Sequence, residues 1–345
     1  MASKRIVVFN HKGGVSKTTS VYNLGWMLAG KGFKVLVVDG DPQCNLSSLI
    51  LGDKFEEYYD SDATKFQNIK DGVEPAFKGR PKPIEAVTCV SPPRAPNLFL
   101  LAGHADLSAY DASLTLAQTA GSAITTLQNL PGTFNELMRL TEEKYEIDFT
   151  IIDLNPSLSA INQNLFLSAN AFIMPTNPDP FSIMALNTLK DTLPRWLEWK
   201  RSNIDTYKDS AYQLTDTNPK FIGALIQRFN IRKGRAAKPY RDNIDEIKNK
   251  LTIDLIPSLA RVGMTLTAEE YSQHLIDDGY CLAEIPDFQG LLPKSYDAEV
   301  PVFALEDNEI HETGPVFEQM SKKRGVFGEQ FNIITDEIVR LMQYA

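Results

Sequence analysis

The segment Asn10-His-Lys-Gly-Gly-Val-Ser-Lys-Thr-Thr19 gathers residue types that suit a chain of phosphates. Such a ligand asks for several N–H donors aimed inward, a positive charge and a hydroxyl that can ligate Mg²⁺. Gly13 and Gly14 let the backbone wrap closely, so that successive amides form an anion nest at the start of a helix beginning near Lys17. In this reading Lys17 reaches the β- and γ-phosphates and the Thr18 hydroxyl holds the metal, with Val15, Ser16 and Thr19 completing the loop. The strict pattern G-x4-G-K-[ST] is not met, because His11 and Ser16 stand where glycines are expected. A positive φ at Ser16 would strain the backbone by about 1 kcal/mol.

Two acidic positions follow in order. Asp39-Gly-Asp41-Pro-Gln ends an apolar run, at the strand end where open α/β sheets place their ligands. Asp153 closes Phe149-Thr-Ile-Ile-Asp, where a second group organising Mg²⁺ through water belongs. A strand-terminal Asp taken alone is more often a helix cap. Three such features along one chain favour the nucleotide reading.

These residues need strands and helices to bring them together. Residues 5–10, 33–39, 97–102, 147–153, 171–175, 221–227 and 281–285 read as buried strands. Helical spacing occupies 18–29, 134–145, 158–169, 184–199 and 239–251 between them. The alternation predicts an α/β fold, doubly wound around a mainly parallel sheet, in a single domain spanning 1–345. Residues 53–96, proline-rich and poor in core-building residues, read as an excursion on that domain, and 203–219 as a polar loop. Within a C-terminal segment of 312–345, residues 327–344 form an amphipathic helix with Phe331, Ile334, Ile338, Leu341 and Met342 on one side.

With 345 residues, 43% of them hydrophobic, the chain can bury one large core. No apolar run is long enough for a bilayer, and Met-Ala-Ser-Lys-Arg leads straight into a strand, so no secretory signal is expected. Three separated cysteines (Cys44, Cys89, Cys281) argue against disulfides or a metal cage and suit the cytoplasm. A net charge of −9 means that any nucleic-acid contact needs a local basic patch.

With these motifs in view, the chain resembles the ParA/MinD family of P-loop NTPases with a deviant Walker A motif. The family loop KGGVGKTT is matched by Lys12-Gly-Gly-Val-Ser-Lys-Thr-Thr19, its D-x-D-P-Q-x-N motif by Asp39 to Asn45, and its Walker B by Ile151-Ile-Asp-Leu-Asn-Pro-Ser-Leu158, with Asn155 replacing a proline. The resemblance implies an ATPase with ATP and Mg²⁺ as ligands and a homodimer formed on ATP binding. It implies that Lys12 is the signature lysine crossing to the partner's phosphates. Asp41 would position the attacking water near the metal, with Lys17 and Thr18 on phosphate and metal and Asp153 in support. Pro286 would line the adenine pocket and Gln227 would sit near its base-reading position.

What the switch acts on is open between two readings. DNA partition, helped by a ParB-like stimulating partner, is favoured by Arg228, Arg232, Lys233, Arg235, Lys238 and Arg241, a run without acids that Lys322-Lys-Arg324 extends. It would place the protein on the nucleoid. A positioning or regulatory ATPase that recruits a protein cargo or effector is favoured by the excursion at 53–96 and by the acidic balance, and Asp287, where family members often carry a basic residue, tells against DNA. No N-terminal helix-turn-helix is expected. A membrane anchor is disfavoured, because the last helix offers Glu329, Asp336 and Glu337 against Arg340. A reductase role is disfavoured because no cysteine pair could ligate a cluster.

Overall fold

Seven short runs of mostly apolar residues, buried almost throughout except for the half-buried edge strand at Cys281–Ile285, become the parallel strands of a single sheet in a computed structural model of the chain. The structure describes residues 3–120, 124, 127–232 and 235–345, with the backbone alone at Arg232 and Arg235. In chain order the elements are β1 (Lys4–Val8), α1 (Lys17–Gly30), β2 (Val35–Gly40), α2 (Asn45–Leu51), α3 (Phe55–Asp60), α4 (Ile69–Phe77), β3 (Leu98–Leu101), α5 (Asp111–Ala120), α6 (Thr133–Tyr145) and β4 (Phe149–Leu154). They continue with α7 (Ala160–Leu167), β5 (Ala171–Thr176), α8 (Pro180–Asn203), β6 (Lys220–Gln227), a ribbon of β7 (Ile231–Arg232) and β8 (Arg235–Ala236), and α9 (Lys238–Lys250). Last come α10 (Ile256–Arg261), α11 (Gln273–Asp277), β9 (Cys281–Ile285), α12 (Leu291–Asp297) and α13 (Gly314–Leu341).

The strand order is β3-β2-β4-β1-β5-β6-β9, and every pairing within that sheet is parallel. The chain winds outward from β1 to one edge, returns through β4, and fills the other half with β5, β6 and β9. The mouth of the phosphate loop thus lies at the carboxyl ends of the central strands. Period-two alternation divides the strand residues between two cores. Val7, Leu36, Val38 and Ile152 face one side, and Ile6, Val8, Val35, Val37 and Ile151 face the other.

On the second side lie α1 and α13, the latter through Phe327, Phe331, Ile334, Ile338 and Leu341. This helix begins thirteen residues before the amphipathic pattern suggested, at a Gly-Pro start. No described helix is long and apolar enough to cross a membrane.

Residues 53–96 correct an expectation. Ile69 and Val73, one turn apart on α4, are fully buried with Ile84 and Val87 in the larger core. The prolines around them hide a core-building segment whose apolar residues are few but well placed. Within the basic run after β6, Arg232 pairs with Arg235 across the β7–β8 ribbon before α9 begins.

Candidate functional site

The loop between β1 and α1 is held open by side chains from the neighbouring strand ends. Asn10, fully buried, donates to the Pro175 carbonyl at 2.8 Å and accepts from the Lys12 N–H at 3.0 Å, tying the loop to β5. The Gly14 carbonyl accepts from Asn177 Nδ2 and from Arg228 Nη1, both at 3.0 Å. Because a trans peptide opposes its C=O and N–H, a Gly14 carbonyl tied down on this side turns the Val15 N–H the other way. Gly14 has φ 72° and Ser16 has φ 62° and ψ 33°, both left-handed. Glycine takes that conformation freely; Ser16 takes it at a cost of about 1 kcal/mol. His11, at the other departure from the strict pattern, has its imidazole pushed below its usual range by burial and by the Lys17 charge.

Beneath the loop lies a floor of carboxylates set by strand register. Asp39 and Asp153 are partners across β2 and β4, and both are fully buried. Their functions differ because their bonds differ. Asp39 accepts from the Ser47 N–H at 2.8 Å, the Ser47 hydroxyl at 2.7 Å and the Asp41 N–H at 3.2 Å, so it fastens the start of α2. Burial pushes its carboxyl up to about 6 against those bonds. Neither Asp153 oxygen lies within full hydrogen-bond geometry of a donor, and the Thr18 hydroxyl alone exerts a hydrogen-bonding pull on the carboxyl. Burial, and after it the Asp39 charge, hold its carboxyl well above the usual range, with smaller opposing pulls from Thr18 and Lys17. A buried carboxylate without donors is costly unless something charged completes it.

Lys17, also buried, donates from Nζ to the Lys12 carbonyl at 3.2 Å. Burial lowers its affinity for a proton, while Asp153 and Asp41 work in the opposite direction. Asp41 is 9% exposed and spends one carboxylate oxygen on the Gln43 N–H at 2.9 Å. Gly40 between the two aspartates must be glycine, since a Cβ there would stand 2.8 Å from the Asp153 carbonyl. Asn155, the departure from the Walker B pattern, accepts from the Ser157 N–H and from Asn162 Nδ2, so an asparagine-built turn shapes the exit from β4.

The loop opens into a cleft of about 840 Å³, lined at the phosphate end by Gly13 to Thr19 and Asp41, and further out by Gln227, Arg228, Pro286 and Tyr296. That volume suits a ligand the size of a nucleotide. The partnerless oxygens of Asp153 beside Thr18 fit a hydrated magnesium ion. Among the described residues no three acidic, histidine or cysteine side chains form a metal cage.

Several contacts lay outside the sequence reading. Lys12 does not hang free: its ammonium is paired with the Asp179 carboxylate and bonded to Ser182 Oγ at 3.1 Å. Asp179 also caps α8, accepting from the Ser182 N–H at 2.9 Å. The Asp179-Pro180 pair is a readable helix-start signal; its proximity to Lys12 is not. Gln227, 2% exposed, donates from Nε2 to Ser20 Oγ at 2.6 Å.

The six basic candidates are not brought to one surface by the described contacts. Arg228 sits on the phosphate loop, and Lys238 and Arg241 are exposed at the start of α9. Arg232 and Arg235 are placed by backbone only, and Lys233 lies outside the described residues. Lys323 and Arg324 of the later basic cluster are bonded to Gln289 and Asp307.

A family model described as "AAA domain" matches residues 3–206. Uncharacterized protein MJECL24 of Methanocaldococcus jannaschii is 32% identical over 270 residues, covering 77% of this chain and 86% of that protein. The chromosome-partitioning ATPase Soj of Treponema pallidum is 32% identical over 192 residues, which are 56% of this chain and 64% of Soj, under two-thirds of that relative. Protein DIP2308 from Corynebacterium diphtheriae shares the fold with a TM-score of 0.64 at 19% identity, over 98% of both chains. Some solved proteins of this architecture hold ADP or an ATP analogue with magnesium.

Proposed function

This chain belongs to the AAA-domain family of ParA/MinD-like ATPases, and from that premise we propose that it is an ATP-driven switch. It takes ATP and Mg²⁺ into the cleft at Lys17, pairs with a second copy of itself, and hydrolyses ATP slowly to ADP and phosphate. The observation that carries this reading is Asp153: two buried carboxylate oxygens without a partner, at the foot of a glycine loop and beside a buried lysine. A cation and phosphates would complete that arrangement.

Binding follows from the charges. Lys17 is destabilised by burial in the free protein, and an incoming triphosphate supplies the negative charge that stabilises it. The amides of Gly13 to Thr19 cradle the phosphate oxygens. Thr18, with Asp153 and Asp41 acting through water, would hold Mg²⁺, which neutralises charge building on the phosphates. Asp41 positions the attacking water with the carboxylate oxygen it does not spend on Gln43. Lys12 leaves Asp179 to reach the partner's phosphates, so dimerisation completes the site in place of an external arginine. Pro286 and Gln227 flank the base.

The dimer's target, on this reading, is DNA held without sequence preference and released when a partner protein stimulates hydrolysis, as in partition. Support comes from exposed Lys238 and Arg241, which form no ion pair among the described residues. A protein cargo or effector is the second reading, favoured by the net charge of −9 and by Asp287 beside Pro286.

Two variants test the switch. Lys17→Ala abolishes nucleotide uptake in calorimetry. Asp41→Ala takes up ATP but accumulates as a dimer, because hydrolysis stalls. Normal turnover by the Asp41 variant would remove the role given to that residue. A wild-type protein that stays monomeric with Mg²⁺-ATP would end the switch itself.

A further inference from the structure

A chain of two hydrogen bonds runs from the phosphate loop to the far wall of the cleft. Ser20, fully buried on the first turn of α1, donates its hydroxyl proton to the Ser16 carbonyl at 2.8 Å. With that proton committed, Ser20 Oγ can only accept from Gln227, 2.6 Å away. The amide of Gln227 is therefore oriented: its NH₂ faces Ser20, and its carbonyl oxygen is the end left for the cleft that Gln227 lines. The bond bridges 207 positions of sequence and joins β6 to α1.

We propose that Ser20 is a positioning residue for base selection, holding the Gln227 carbonyl toward the 6-position of a bound purine so that a 6-amino ring is accepted and a 6-oxo ring is refused. This rests on the nucleotide reading above and extends it. An amide free to rotate would offer either its oxygen or its NH₂, and so match either ring. The fixed amide presents an acceptor alone: it pairs with an amino group and opposes a carbonyl oxygen. The anchor of the chain is the carbonyl of Ser16, the residue whose left-handed backbone shapes the phosphate loop. The strained residue thus fixes phosphate binding and base choice together.

ATP and ITP differ at that position and serve as the probes, titrated with Mg²⁺ into the 345-residue chain by calorimetry. Wild type prefers ATP by about tenfold or more, the discrimination expected when a buried acceptor is left facing another acceptor. Ser20→Ala brings the two affinities within about threefold, because the amide can then turn. Ser20→Thr, which keeps the hydroxyl, retains the preference. The ratio is the readout, since a general loosening of the loop would weaken both nucleotides alike. Equal wild-type affinities, or a Ser20→Ala variant as selective as wild type, overturn the proposal. A wild type that binds neither nucleotide overturns the reading beneath it, which is a separate and recognisable result.

Discussion

The Lys12 ammonium is bound within its own chain to Asp179, the carboxylate that caps α8. Both side chains are only partly exposed, at 19% and 33%. A cross-dimer role for Lys12 therefore begins with breaking this pair in each protomer, which opposes association by about 1 kcal/mol for the two pairs together. Asp179→Asn keeps the helix cap, since asparagine caps as well as aspartate, but removes the charge. Its ATP-bound dimer should form at roughly fivefold lower protein concentration, measured by sedimentation. An unchanged dimer constant would mean that the pair does not restrain Lys12. The sign with pH is fixed by the Asp179 carboxyl: burial pushes it up, but the bonds from Lys12 and the Ser182 N–H together outweigh that and hold it below its usual 3.8. The pair's contribution to folding is present above that range and is lost as pH falls through the depressed value.

Ser16 offers a test of strain. Its φ of 62° is expensive for serine, and its side chain makes no capping bond to offset it. Ser16→Gly should raise stability by about 0.5 kcal/mol, the relief of strain less glycine's greater chain entropy. The shift appears as a higher urea midpoint at constant slope. A lower midpoint would show that the serine side chain stabilises the loop by a contact other than a cap.

Much of this site could be read along the chain, and the division between what could and could not has a physical cause. Buried parallel strands announce themselves as contiguous apolar runs, so the ends of β1, β2 and β4 and the residues Lys17, Asp41 and Asp153 could be located by counting. The fully parallel order and the burial of these groups followed. Contacts made across the sheet are different in kind. Lys12 meets Asp179, and Ser20 meets Gln227, only because β1 lies beside β5 and β5 beside β6. No local period encodes that order. The same limit explains residues 53–96, where Ile69 and Val73 on a nine-residue helix gave too little pattern to outweigh the prolines around them.

Asp153 should trade stability for binding. Its carboxyl is held well above 3.8, so the nucleotide-free folded chain keeps a proton that the unfolded chain releases. Stability then falls as pH rises from near 3.8 toward the folded value, and Asp39, raised to about 6, adds the same sign over its own range. Asp153→Asn removes its own share of that pH dependence. The nucleotide-free variant should be more stable than wild type at pH 7 and show a flatter pH profile, while its Mg²⁺-ATP affinity falls at least about tenfold. A variant that melts below wild type at pH 7 would mean that the aspartate is stabilised in the free protein by a partner of its own.

The DNA reading can be separated from the cargo reading by salt. Lys238 and Arg241 occupy the first turn of α9, where the helix dipole disfavours cations, and no acid lies in that turn to compensate. Their placement works against helix stability, which is the pattern expected if an anionic surface docks there. Asp242, Asp245 and Glu246 follow on the same helix, so the footprint would be confined to its start and to the β7–β8 ribbon before it. Replacing Arg232, Arg235, Lys238 and Arg241 by glutamate should abolish ATP-dependent retention on non-specific duplex DNA while leaving the ATP dimer intact. Single replacements should each reduce the slope of log affinity against log salt by about 0.9, the counterions released per phosphate contact. Should the wild type show no salt-sensitive retention on DNA with ATP bound, the acidic balance of the chain and Asp287 at the cleft would carry the argument instead. The ATP dimer would then be a platform for a protein partner.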